Sequence, residues 1–158
     1  MLGTEVVASF SYAIKLYEFV QALFITSILA VIYPRLSSMI VSDRMDSFLN
    51  SLKKTMNVII VALVPIIVGC IVLSRQIVEV LFQRNAFTSK DTTMTASILW
   101  IYVIGILAFA LRDVLTRGFY SMEDSKTPMI NSIISIVFNI SLNLILVKPL
   151  GYKGLAIA

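Results

Sequence analysis

The chain has 158 residues, 58% of them hydrophobic and 14% charged, with a formal net charge of +4 at pH 7 and a mean hydropathy of +0.92. Soluble domains carry roughly 45–50% apolar and about 25% charged residues, so this chain lacks the polar surface to cover a globule. A soluble enzyme, a disordered tail and a disulfide mini-protein are excluded, and the composition is that of a membrane protein.

Two residue counts remove further chemistry. There is no histidine and one cysteine, Cys70, which rules out a His/Cys metal centre and a histidine-based nucleophilic triad. No GxxxxGK[ST] nucleotide motif occurs, and no cofactor is expected. The 13 Lys and Arg are scattered singly between apolar blocks. That is the loop pattern of a multi-pass membrane protein rather than a basic nucleic-acid face.

A helix needs about 20 residues to cross a hydrocarbon core of ~30 Å. The first element has fifteen uncharged residues, Phe19 to Tyr33, which reach only about 23 Å. Extending it back gives a predicted span over 5–33 that takes Lys15 and Glu18 to membrane depth, with Pro34 as its stop. A short amphipathic helix is expected around Asp43–Leu52. The second span is 55–74, uncharged throughout, with Pro65 and Gly69 as a kink site. In the connector from Arg75 to Asp91, Ile77, Val78, Leu81 and Phe82 fall at helical spacing and predict an interfacial helix. Thr88 or Ser89 can cap the third span, 92–111. A connector from Arg112 to Lys126 follows. Thr127 and Pro128 then read as N-cap and N1 of the fourth span, 127–147. Residues 152–158 read as the start of another span. Alternate loops carry seven Lys and Arg against five, which places Arg35–Lys54 and Arg112–Lys126 in the cytoplasm and the N-terminus outside.

Three groups are candidates for function. At 100° per residue, Ala8, Ser11, Lys15, Glu18, Ala22 and Thr26 share a sector of about 80° on the first helix. A narrow stripe of small and polar residues faces other helices or water rather than lipid. Lys15 then reads as a cationic anchor in a solvated cavity, with Glu18 tuning its position; the alternative is a local i,i+3 ion pair near the interface. Asn131, Ser135, Asn139 and Asn143 form a second stripe on the fourth span, read as interhelical hydrogen bonding or, alternatively, as substrate contact. Arg112, Asp113 and Arg117 read as an interfacial anchor or, alternatively, a gate.

Several tracts together resemble one family. Ser11-Tyr-Ala-Ile-Lys-Leu-Tyr-Glu-Phe19 resembles the "YADRLMEFP" helix of the MurJ (MviN) lipid II flippases, of the multidrug/oligosaccharidyl-lipid/polysaccharide exporter superfamily. Ile32-Tyr-Pro-Arg-Leu-Ser37 is similar to its "LPxLS", Val80–Phe87 to its "LFxxGxF", and Gly118–Pro128 to its "FYAxxDTKTP". Asn139–Leu144 followed by Gly151–Ala156 is similar to "NxxLNxxL…GxxGLA". Lys15 stands where the family has a cavity arginine, which keeps charge without the bidentate fork. Gln21 and its neighbours replace the proline after Glu18-Phe19, and Asn85 replaces the loop glycine.

The resemblance implies an all-α, polytopic transmembrane bundle, four spans plus the start of a fifth, forming part of a carboxy-terminal MATE-like lobe whose amino-terminal partner lobe is missing. It implies a multi-pass protein of the bacterial cytoplasmic membrane that flips an undecaprenyl-diphosphate-linked peptidoglycan precursor by alternating access, without covalent catalysis. Membrane lipids, that substrate and the missing lobe are the implied partners. The alternatives are an exporter of another lipid-linked polysaccharide or a drug, and an inert truncated fragment or helper subunit.

Overall fold

The computed structural model describes residues Thr4–Arg84 and Phe87–Ile157 and contains no strand among them. The side chains of residues 4, 5, 152, 153 and 155 fall outside the description, as do Asn85, with its predicted loop role, and Ala158 of the last predicted span. Helix α1 (Thr4–Val20) passes through a π-helical turn (Gln21–Thr26) into α2 (Ser27–Val41). Then come α3 (Met45–Val72), α4 (Ser74–Phe82), α5 (Ser89–Ser121), α6 (Lys126–Leu150) and α7 (Tyr152–Ile157). Among the described residues four helical stretches are long and apolar enough to cross a membrane: Val6–Val41, Met45–Val72, Ser89–Ser121 and Lys126–Leu150.

The helices run past three expected stops. Pro34 lies inside α2, which continues to Val41. Proline removes only one helical hydrogen bond, and the rest of the ladder carries the helix on past it. The expected amphipathic helix at 43–52 is instead the first part of α3, because no breaker separates Met45 from the apolar run. The connector expected from Arg112 is helical to Ser121, so Arg112, Asp113 and Arg117 stand within α5. At 33 residues α5 is about 50 Å long and extends well beyond the hydrocarbon.

Two helix ends share one device. Asp43 and Glu123 have φ of 53° and 60°. Around Asp43, the Asp43 N–H donates to the Ile40 carbonyl (2.9 Å) and Arg44 N–H to that of Met39 (3.0 Å). Glu123 N–H donates to Tyr120 (3.1 Å) and Asp124 N–H to Phe119 (3.0 Å). Both are Schellman endings with a non-glycine residue in the left-handed position. At the start of α5 the expected cap is Thr88, in a reciprocal capping box with Asp91.

Helix α5 is the centre of the bundle. On one side Ile106, Ala110 and Val114 pack with Ile25 and Leu29 of the first helical stretch and Ile59 and Leu63 of α3. Towards its other end Ala96, Ile98, Leu99 and Val103 pack with Ala13 of α1 and Val78 of α4. On α4, Val78 and Phe82 turn inward as expected, but Leu81 stays 49% exposed. Close approach of α5 to α3 is allowed by Gly118, where a Cβ would stand 3.2 Å from Leu52 Cδ1. Helix α6 differs from the rest: only Pro128 on it is buried, and its apolar side chains are largely open.

Candidate functional site

Helix α1 has two faces of opposite fate. Ser9 and Ala13 are buried against the bundle, whereas Ala8, Ser11, Lys15, Glu18, Ala22 and Thr26 are all exposed. The polar stripe thus stays together on the side that the described helices leave uncovered. It also continues across the π turn, whose wider winding shifts register where the resemblance has a proline and this chain has Gln21.

Lys15 is positioned by an aromatic ring rather than by a carboxylate. Its Nζ lies 5.7 Å from the Tyr12 ring centroid, within cation–π range. Of the two readings, the alternative local ion pair with Glu18 is not what the described contacts show, since the cation's described partner is Tyr12. Tyr12 is itself clamped, by Phe82 at the end of α4 (centroids 4.7 Å) and by Phe87 beyond it (5.2 Å, edge to face). Further along α1, Tyr17 lies 6.0 Å from Tyr102 and 6.1 Å from Phe109 of α5, which seats the helix against rotation. Tyr12 therefore stands level with α4, and Lys15 is one helical turn further along. Sequence reasoning missed Tyr12, Phe82 and Phe87 as supports of the cation. The usable signal was two phenylalanines flanking a short loop after an amphipathic helix.

The second stripe forms local hydrogen bonds. Asn143 Nδ2 donates to Asn139 Oδ1 (2.9 Å), and Ser135 Oγ donates to the Asn131 carbonyl (2.8 Å), all within α6. Asn143 and Ser135 thus bond along their own helix, where interhelical bonds were expected. Asn139 still lines a cleft between α5 and α6 together with Phe109, Arg112 and Ser132. Asn131 is exposed.

The third group splits. Arg112 Nη2 donates to Ser132 Oγ (3.1 Å), joining α5 to α6, and the Arg117 guanidinium lies 5.6 Å from the Tyr33 ring centroid, joining α5 to α2. Asp113, half-buried between them in sequence, belongs to neither contact. The two arginines thus tie α5 to two different neighbours.

Among the described residues, three membrane-length helical stretches packed around a fourth, α5, define a multi-pass membrane protein. The family model described as "Lipid II flippase MurJ" matches residues 1–158, and the chain belongs to that family. It is 36% identical over 99% of its length to the probable lipid II flippase MurJ of Vibrio cholerae and 31% identical over 93% to that of Rickettsia prowazekii. A solved lipid II flippase MurJ in an inward closed conformation superimposes with a TM-score of 0.85, at 29% identity over 96% of this chain. The chain spans about 30% of the length of these relatives and 32% of that structure.

Proposed function

We propose that this stretch supplies the opening helices of the second lobe of a lipid II flippase in the bacterial cytoplasmic membrane. Its substrate is an undecaprenyl-diphosphate-linked sugar-peptide, and its partner is the lobe absent from these 158 residues. The observation that carries the reading is the placement of Lys15 with Ser11 and Glu18 on the uncovered face of α1, its ammonium held by the clamped Tyr12 ring.

A diphosphate crossing hydrocarbon needs a compensating cation in a hydrated space, since an unpaired buried charge is strongly disfavoured. Lys15 provides a compact, strongly hydrated positive charge. Ser11, whose hydroxyl already donates to the Val7 carbonyl (3.0 Å), leaves its oxygen open as an acceptor. Glu18 limits the net positive charge of the face, so that an anionic head group can enter and also leave. Transport follows from two lobes rocking about a site between them, with no bond made or broken. Arg112 and Arg117 serve to hold α6 and α2 on α5 rather than to gate. Asn139 keeps the α5–α6 cleft polar, with Asn143 bonded to it along α6.

The test is complementation in cells depleted of their own lipid II flippase, with a two-lobe protein carrying this segment. Lys15→Ala is expected to abolish growth and lipid II translocation, and Lys15→Arg to preserve both. Normal translocation in the alanine variant at equal membrane abundance would remove Lys15 from the path. The 158-residue stretch alone in liposomes is expected not to move lipid II.

A further inference from the structure

Away from the Lys15 face, a groove of about 460 Å³ runs between α2 and α3. Ile28, Val31 and Ile32 line it from α2 and Val58 from α3, with Val31 76% and Val58 49% exposed. At one end stand Arg35 and Lys54, one from each helix. No acidic residue is among those described as lining it. Two hydroxyls nearby are committed: Thr55 Oγ1 donates to the Ser51 carbonyl (2.8 Å), and Ser51 Oγ donates to Met39 Sδ. Arg35 and Lys54 are the charged groups among its lining residues, and Ser27 adds an uncharged hydroxyl.

Their positions along the chain set their level in the membrane. No charge occurs between Glu18 and Arg35, or between Lys54 and Arg75. On two adjacent antiparallel helices, then, Arg35 and Lys54 are the first charges met on leaving the apolar core towards the Ser42–Arg44 turn. Charges there settle at head-group height, their stems along the apolar surface. A groove that is apolar on its membrane side and doubly cationic at head-group height matches one ligand shape, an acyl chain below a phosphate. Basic pockets between membrane helices recognise anionic lipid head groups in this way.

We propose that the α2–α3 groove holds one anionic diacyl phospholipid of the surrounding bilayer, its phosphate between Arg35 and Lys54 and an acyl chain along Ile28, Val31 and Val58. The site is independent of the Lys15 face and of the flippase reading. The bound lipid fills the seam that α5 does not reach.

The experiment is native mass spectrometry of the 158-residue chain released from bilayer discs made of equal parts phosphatidylglycerol and phosphatidylcholine. The chain is expected to retain one phosphatidylglycerol in preference to phosphatidylcholine. Arg35→Gln with Lys54→Gln should reduce that retention at least about tenfold, since each juxtamembrane cation adds about 1 kcal/mol of attraction. Arg35→Lys with Lys54→Arg should keep it, which separates loss of charge from misfolding, and Val31→Trp should expel lipid of either head group. Equal retention in the double glutamine variant overturns the proposal. So does stronger retention of undecaprenyl phosphate than of phosphatidylglycerol when both are offered, which would make the groove a substrate site.

Discussion

Tyr12 and Phe87 meet edge to face at right angles, their ring centroids 5.2 Å apart, and the same tyrosine ring carries the Lys15 ammonium on another side. Through this relay the segment after α4 sets where the cation on α1 stands. Aromatic pairs of this kind contribute about 0.5–1.5 kcal/mol beyond their buried area. Tyr12→Ala is expected to lower the thermal midpoint of the protein and to reduce lipid II translocation in a two-lobe protein. Tyr12→Phe should preserve both, because the ring makes the described contacts. Full translocation with Tyr12→Ala would show that the ammonium needs no platform.

Glu123 ends α5 in the left-handed region at φ 60°. A Cβ there costs about 1–2 kcal/mol, and glycine is the residue that Schellman endings favour. Glu123→Gly is therefore expected to stabilise the protein by about 1 kcal/mol, read as a higher melting midpoint in detergent. Asp43→Gly, at φ 53° in the corresponding position after α2, should act in the same direction. A drop in midpoint for both would refute the strain argument.

Helix α6 starts at Lys126 after an N-cap at Ser125, two residues before the expected Thr127, and Asp124 supplies the side-chain contacts there. Its Oδ2 accepts from the Thr127 hydroxyl (2.6 Å), and its Oδ1 accepts from the N–H groups of Thr127 and Lys126 (3.0 Å each). The Thr127 hydroxyl first, and then the Thr127 N–H, hold this carboxyl below its ordinary range. A carboxyl whose folded pKa is depressed stabilises the fold above its unfolded pKa of about 3.9, and that contribution disappears as pH falls through the lower folded value. The Asp124→Ala variant should therefore be less stable than the parent at neutral pH, and the difference should shrink on acidification below pH about 4. A gap independent of pH would mean that the charge of Asp124 plays no part in the cap.

Composition and periodicity made the membrane bundle legible, because apolar runs longer than the hydrocarbon core have few other uses. The outward stripe on α1 was legible for the same reason, since 3.6-residue spacing groups residues whatever the neighbours. Helix ends were less so. Thr127-Pro128 has the local signature of an N-cap, yet Asp124, further upstream, takes the Lys126 and Thr127 N–H groups and the helix starts earlier. Pro34 has the signature of a stop, yet it removes a single bond and α2 winds on to Val41. The supports of Lys15 were least legible, because Phe82 and Phe87 lie about seventy residues away and only tertiary packing brings them to Tyr12.

The Gly-x-x-Gly corner between α6 and α7 has two separate physical causes, and they predict different tolerances. Gly151 sits at φ 55°, ψ −131°, a backbone region that L side chains rarely adopt, though a Cβ there would meet open space. Gly154 has ordinary helical geometry, but a Cβ on it would run into the Leu146 carbonyl. Gly151→Ala must only bend a corner and is expected to cost about 1–3 kcal/mol. Gly154→Ala must push α7 off α6 and so carries Ala156, which packs against the cluster around Ala96 and Leu99, away from α5. It is therefore expected to be the more damaging of the two, with a larger fall in melting midpoint and faster amide exchange in α7. If Gly151→Ala proves the worse variant, the corner is held by its backbone angle and not by the close approach of its two helices.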